Sequence, residues 1–285
     1  MTLKELLNWA NKELENIDFA ESDALYLIEE FVDSRRNAIY LHGEDEVRED
    51  KIEIFKKAVE KRKEHYPLQY ILGYWYFRDM KLKVKDGVLC PREDTEVLVN
   101  ESVKRIKTLF ANQTEVKGVD LCSGTGCVPL AIVSDSVKTK MDAVELYDVP
   151  FECLSENISL YGENKVTAVR GDVFSDDLIE SYSEVDFLTA NPPYIAEEEM
   201  KTLQAEVQLE PREALTDEGD GLKFYRRIIS DWKKIIKIGG FIALEIGETQ
   251  AEDVCKMLLE NGFADVKVAK DLGELDRAVT AVKIN

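Results

Sequence analysis

The chain reads as an α/β protein: a doubly wound, mostly parallel sheet with an antiparallel last strand pair, preceded by a small all-α domain and a β-hairpin. Three observations predict this. From about residue 115 onward, short apolar runs alternate with helix-like stretches, which implies strands joined by helical crossovers. The last two runs, Val266–Ala269 and Ala278–Ile284, are too close for a helical crossover, so they pair antiparallel. The first ~65 residues instead carry apolar residues at the three-and-four spacing of buried helical stripes.

Leu3, Leu6, Leu7, Ala10 and Leu14 mark a first helix. Ala24, Leu25, Leu27, Ile28 and Phe31 mark a second, introduced by Ser22 or Asp23 as a capping residue. Ile52, Phe55, Ala58 and Val59 mark a third, and Pro67 then stops helix formation. Residues 1–70 are therefore read as a helical domain. Residues 71–92 are read as a hairpin linker: Tyr74, Trp75, Tyr76, Phe77, Leu82 and Val84 are strand formers, and Asp86-Gly87 is the turn signal. Residues 93–285 hold the sheet. Its strands are expected at Val116–Cys122, Ala143–Tyr147, Val166–Val169, Val185–Ala190 and Phe241–Ile246, before the closing pair. Helices are expected at Val128–Val133, over 150–160, and up to Leu259.

Composition narrows the function. Fifty-seven acids face 37 bases, for a net charge of −20. Duplex nucleic acid is bound chiefly by neutralising phosphates, so a nucleic-acid substrate is disfavoured, and a basic protein partner or simple solubility is the better reading. No apolar run of about 18 residues suggests a membrane span. The N-terminal Met1-Thr2-Leu3-Lys4-Glu5 lacks the layout of a signal peptide. The five cysteines are scattered, without disulfide or zinc spacing, and no metal is expected. A reduced cytoplasm and a monomer are the expectation.

The segment Asp120-Leu121-Cys122-Ser123-Gly124-Thr125-Gly126-Cys127 follows the first strand of the sheet and opens a helix. Its glycines allow a sharp turn and let a ligand lie against the backbone. A third glycine, as in the dinucleotide fingerprint, is missing around Leu130, which favours a ligand without phosphate. Glu145 ends the second strand, at the position where a carboxylate meets ribose hydroxyls in doubly wound sheets; Asp148 is its rival. After the third strand, Gly171-Asp172-Val173-Phe174 offers an acceptor for an adenine amino group and an apolar face for the ring.

Asn191-Pro192-Pro193-Tyr194 follows the fourth strand. Two prolines remove two backbone donors and fix two φ angles, so carbonyls there stand as rigid acceptors. The Asn191 oxygen adds another acceptor, and Tyr194 a flat face. Those groups suit an NH₂ on a planar system, with two accepted hydrogen bonds drawing the nitrogen lone pair out of conjugation. Displacement at a sulfonium methyl needs alignment more than a strong base. Neither His42 nor His65, both in or near the helical domain, is expected to act as one.

The chain resembles the bacterial-type peptide chain release factor N5-glutamine methyltransferases, which are class I S-adenosylmethionine-dependent enzymes with a Rossmann-like sheet. The resemblance runs through Pro67-Leu68-Gln69-Tyr70-Ile71-Leu72-Gly73, Pro91-Arg92-Glu93-Asp94-Thr95-Glu96, Asp120 to Gly126 and Asn191 to Ile195. It continues through Glu206-Val207, Glu210-Pro211, Gly219-Asp220-Gly221-Leu222, Leu244-Glu245-Ile246-Gly247 and Asp276-Arg277. It implies that S-adenosylmethionine is held by Cys122, Ser123, Gly124, Thr125, Gly126, Glu145, Asp172, Val173 and Asn191. It also implies that the glutamine of the Gly-Gly-Gln loop in class 1 release factors is held by Asn191, Pro192, Pro193 and Tyr194, and that the helical domain helps to dock the release factor. Three positions depart from the family pattern: Glu93 where proline is frequent, Cys122 where glycine is frequent, and Val173 where an aromatic is frequent.

The tetrapeptide is shared with adenine-N6 methyltransferases of nucleic acids, and a ribosomal-protein glutamine is a further possible acceptor. Charge separates these. Residues 197–220 hold nine acids (Glu197, Glu198, Glu199, Glu206, Glu210, Glu213, Asp217, Glu218, Asp220) against Lys201 and Arg212. Such a segment repels phosphates and attracts a basic protein loop.

Overall fold

In the computed structural model, which describes residues 1–32, 38–162 and 164–285, the chain divides into two compact units. The first comprises Met1–Tyr74 with Gln204–Leu209, the second Trp75–Leu203 with Glu210–Asn285.

The first unit is helical: α1 (Leu3–Glu13), α2 (Ala20–Phe31), α3 (Ala38–His42), α4 (Glu49–Lys63) and α5 (Leu68–Leu72). A capping box starts α1, with Thr2 Oγ1 accepting from Glu5 N and Glu5 Oε2 accepting from Thr2 N. The apolar stripes meet as expected, burying Leu3, Leu6, Ala10, Leu27, Ile28, Phe55 and Val59. Two details differ from the sequence reading. The second helix starts before Ser22 and Asp23, at Ala20. Asp23 is instead buried and accepts from Arg62 Nε at 2.7 Å, because a buried guanidinium needs a charged partner more than the helix needs a cap. The same Arg62 pairs with Glu206, which ties residues 204–209 into this unit. Pro67 does not end helix formation but caps α5, where its missing N–H is no loss.

The second unit begins with β1 (Tyr74–Phe77) and β2 (Met80–Lys83). Their turn falls at Arg78-Asp79, with Arg78 at φ 52°, and not at Asp86-Gly87. Gly87, at φ 92°, turns the chain after the hairpin instead. The two strands pair with each other and leave only Arg78 and Asp79 between them. Then follow α6 (Thr95–Leu109), β3 (Val116–Leu121), α7 (Cys127–Asp135), β4 (Thr139–Glu145), α8 (Asp148–Tyr161), β5 (Val166–Arg170), α9 (Asp176–Ser181) and β6 (Val185–Ala190). Past two short 3₁₀ turns come α10 (Arg212–Leu215), α11 (Lys223–Ser230), β7 (Ile236–Glu245), α12 (Ala251–Glu260), β8 (Phe263–Lys270) and β9 (Asp276–Lys283).

The sheet order is β5-β4-β3-β6-β7-β9-β8. Pairing is parallel up to β7 and antiparallel for β9 with both neighbours, as expected from the short final connection. An apolar core covers each face. One is built with Leu98, Val103 and Ile106 of α6 and Leu130 and Ile132 of α7. The other is built with Tyr225 and Ile228 of α11, Trp232, and Val254 and Leu258 of α12. The hairpin is hydrogen-bonded to α8, with Asn157 bridging both Lys83 backbone groups. Among the described residues, no helix is long and apolar enough to cross a membrane.

Candidate active site

Strand order reverses between β3 and β6, and a cavity of about 400 Å³ opens beside the carboxyl ends of β3 to β6. That is where ligands of open α/β sheets sit. Of the residues expected to contact ligands, Cys122, Ser123, Gly124, Thr125, Glu145, Asp172, Val173, Asn191 and Pro193 line it. Gly126, Pro192 and Tyr194 are not among the lining residues. Neither His42 nor His65 is there either.

The 122–126 turn explains its own residues. Cys122, Gly124 and Gly126 all have positive φ, at 59°, 52° and 81°. A Cβ on Gly126 would lie 2.7 Å from Leu154 Cδ1, whereas one on Gly124, which lines the cavity, would meet no protein atom within 4 Å. Position 122 is also left-handed, so the family's frequent glycine there has a backbone reason and Cys122 is strained. We expect Cys122→Gly to change stability by no more than about 1 kcal/mol, strain relief offsetting lost packing and chain entropy. Cys122→Val should cost about 2 kcal/mol or more, because a β-branched residue tolerates this conformation worst. Urea unfolding of the two variants checks the contrast; equal midpoints would remove the strain argument.

Glu145 is buried and braces the turn. Its Oε2 accepts from Gly124 N at 2.9 Å, and its Oε1 from Leu146 N and Tyr147 N at 2.8 and 3.1 Å. Three donors leave a carboxylate room for about one more, so a hydroxyl can still be accepted. The rival Asp148 lies outside the lining and pairs with Arg170 at 2.8 Å. Asp172 Oδ1 accepts from Phe174 N at 2.8 Å, closing a tight turn that displays Val173 and Phe174. Val173 is a core residue whose carbonyl takes Trp232 Nε1 at 2.9 Å. The aromatic wall comes from Phe174 and Phe224, edge to face with centroids 5.0 Å apart. Phe224 was not legible as a site residue, because nothing local marks a side chain that α11 delivers from fifty positions downstream.

In the sequence Asp120 marks only the start of the turn. Its carboxylate is buried at the cavity and accepts from Ser123 Oγ at 2.7 Å and Thr189 Oγ1 at 2.6 Å. Burial pushes it up to about 7, against those two hydrogen bonds. Between the ordinary aspartate range and that value the folded state holds a proton that the unfolded state has lost. Stability therefore falls as pH rises through this window. Asp120→Asn, which keeps the shape, should flatten the slope of stability between about pH 5 and 8. Denaturation midpoints across that range test it, and parallel pH profiles for the two proteins would sink it.

Asn191 follows β6, and its Nδ2 donates to Thr95 Oγ1 at 3.4 Å. The backbone of the tetrapeptide is pinned from behind. Gln250 Nε2 donates to Tyr194 O at 2.9 Å and to Gly221 O at 3.2 Å, while Gly247 N donates to Gln250 Oε1. The Tyr194 ring packs beside the second core, with its hydroxyl donating to Glu245 Oε1 at 3.4 Å. Arg92 also lines the cavity and pairs with the buried Glu210, whose other oxygen accepts from Cys90 N at 2.9 Å.

Part of the acidity of residues 197–220 is paired within the fold. Glu197 pairs with Arg212, Glu206 with Arg62, Glu210 with Arg92 and Asp220 with Arg226. Asp217 is buried, accepting from the backbone N–H groups of Gly219, Gly221 and Lys223 at 2.8 to 3.0 Å. Five of the nine acids thus have internal partners, which for four of them are arginines.

Likeness to known proteins settles the family. Residues 5–73 match the family model described as PrmC N-terminal domain, and residues 102–223 the Methyltransferase small domain. A release factor glutamine methyltransferase from Thermodesulfovibrio yellowstonii is 36% identical, the match covering 86% of this chain and 87% of that protein. The one from Bacillus subtilis is 32% identical over 99% of this chain and 98% of its own length. The chain belongs to the release factor glutamine methyltransferase family. The catalytic domain of hMettl16, solved in complex with MAT2A 3′UTR hairpin 6, superposes with a TM-score of 0.56 at 14% identity, covering 84% of this chain and 85% of its own. That likeness concerns the fold alone. This member of the family is a methyltransferase whose cavity is lined by Asn191 and Pro193 of the tetrapeptide and by residues 122–125 of the glycine turn.

Proposed function

We propose that this chain transfers a methyl group from S-adenosylmethionine to the side-chain amide nitrogen (N5) of the glutamine in the Gly-Gly-Gln loop of class 1 peptide chain release factors. One observation carries the acceptor: likeness to release factor glutamine methyltransferases spans the helical N-terminal segment as well as the sheet. On this reading residues 1–70 dock the release factor, 71–92 link, and 93–285 catalyse.

The donor set of the cavity fits the cofactor. Adenosylmethionine presents ribose hydroxyls, an adenine amine and an ammonium, with no phosphate. The cavity offers the carboxylates Asp120, Glu145 and Asp172 and an apolar wall of Val173 and Phe174. When bound, the cofactor supplies an electrophilic methyl on a sulfonium.

The chain's own residues then have the following tasks. Glu145 accepts from a ribose hydroxyl while holding the turn, and Asp172 accepts from the adenine amine. Gly124 leaves the space that a side chain would fill. Asn191 Oδ1 and the Pro192 carbonyl accept the two N–H bonds of the glutamine amide. That pair fixes the nitrogen and turns its lone pair out of the amide plane, toward the donor. Pro193 closes the wall and keeps water from the approach. Tyr194 is assigned the face of the amide plane.

Labelled S-adenosylmethionine with a release factor, its Gln→Ala variant, ribosomal proteins and DNA tests the proposal. Label should enter the release factor and vanish with Gln→Ala. Label in DNA, in ribosomal protein alone, or surviving Gln→Ala would overturn it.

A further inference from the structure

The cavity is lined by six carboxylic acids against three cations, Arg92, Arg212 and Lys223. That balance suits the positive groups of S-adenosylmethionine, its sulfonium and its ammonium. It does not suit the carboxylate of the methionine tail, which like charges repel. On the reading of the cavity as the cofactor site, that carboxylate needs one of the three cations.

Position separates them. Lys223 Nζ lies over the Phe174 ring, 5.2 Å from its centroid, at the wall that faces adenine in that reading. Arg212 is engaged by Glu197. Arg92 stands at the tetrapeptide end. Its carbonyl accepts from Thr95 N at 3.2 Å, and Thr95 Oγ1 accepts from Asn191 Nδ2 at 3.4 Å. The methyl to be transferred and the methionine tail share one sulfur, so the tail belongs at the end of the cavity where Asn191 meets the methyl.

Arg92 is also held ready for an anion. It pairs with Glu210, whose side chain is 2% exposed and whose other oxygen accepts from Cys90 N at 2.9 Å. Glu210 is thus fixed at both oxygens and fixes the guanidinium in turn. A guanidinium carries five N–H donors in a rigid fork, enough for two carboxylates. Among the described residues, Glu210 is the only hydrogen-bonding partner of this one. Its side chain remains 36% exposed, at the cavity lining.

We propose that Arg92 binds the carboxylate of the cofactor's methionine tail, with Glu210 as the residue that positions the guanidinium. The inference rests on the cofactor reading given above and is independent of which protein is methylated. It gives the arginine of Pro91-Arg92 a role toward the methyl donor and not toward the acceptor glutamine.

Calorimetric titration of the full-length protein with S-adenosylmethionine and with its decarboxylated analogue, S-adenosylmethioninamine, tests this. The wild type should bind S-adenosylmethionine about 10- to 100-fold more tightly than the analogue, as a charge-assisted forked pair allows. Arg92→Met should bind the two alike, within about threefold, near the wild-type affinity for the analogue. Lys223→Met should keep the wild-type ratio. Arg92→Met leaves Glu210 unpaired, so its combination with Glu210→Gln carries the test if the single variant fails to fold. A wild type that binds both compounds alike overturns the proposal. So does a preference that survives in Arg92→Met, which would hand the carboxylate to another group, such as the backbone N–H groups that open α7. An Arg92→Met protein with unchanged cofactor Kd and a raised KM for the release factor would place Arg92 at the acceptor and overturn it as well. A wild type that binds neither compound removes the cofactor reading itself, a result distinct from all of these.

Discussion

Asn191→Ala is expected to lower methyl transfer by about a thousandfold or more while cofactor affinity stays within about tenfold. The physical ground is the division of labour in the cavity. Glu145, Asp172 and the 122–126 turn lie along the ends of β3, β4 and β5, whereas Asn191 stands at the end of β6 beside Thr95. Alanine removes the acceptor of one N–H bond and the means of orienting the nitrogen, but it leaves the carboxylates untouched. Single-turnover transfer and calorimetric titration with S-adenosylmethionine measure the two quantities separately. A total loss of cofactor binding would contradict the division, and near-normal turnover would remove Asn191 from the chemistry.

Gly221→Ala should lower kcat by about a hundredfold or more with little change in cofactor affinity. Gly221 sits at φ 75°, and a Cβ there would lie 2.3 Å from Tyr194 O and 2.8 Å from Gln250 Nε2. The first of these atoms is backbone, and Gln250 is engaged with both Tyr194 O and Gly221 O, so neither can yield cheaply. The tetrapeptide must shift by a fraction of an ångström to an ångström, which misplaces the acceptor nitrogen. The left-handed φ adds roughly 1–2 kcal/mol of strain for any residue with a Cβ. A melting curve separates lost stability from lost alignment. Turnover near wild type would show that the loop tolerates the shift.

Much of this was legible because it is local. The strand–helix alternation, the final antiparallel pair, the glycine turn and the tetrapeptide are each written in contiguous residues whose periodicity or backbone restriction acts over a few positions. Glu145 and Asp172 were legible in the same way, since one ends a strand and the other lies just past one. Local signals failed where a residue had a stronger distant partner. Asp23 looked like a helix cap but answers Arg62, and Asp86-Gly87 looked like a hairpin turn although the ladder closes at Arg78-Asp79.

The acidic segment shows the same limit for charge. Nine carboxylates can be counted along residues 197–220, but a count does not record that Arg62, Arg92, Arg212 and Arg226 come to meet four of them. Coulomb partners are set by distance in space, and the bases come from far along the chain as well as nearby.

The residues alone thus specified the strand ends, the turn and an asparagine followed by two rigid carbonyls, because steric and periodic rules operate within a few peptide units. They left open the left-handed backbone at position 122, the partner of the Asn191 amide and what pins Tyr194. The last two depend on Thr95, Glu245, Gly221 and Gln250, which approach the tetrapeptide from other segments. Hydrogen-bond polarity and sub-ångström clearance exist only once those segments have packed.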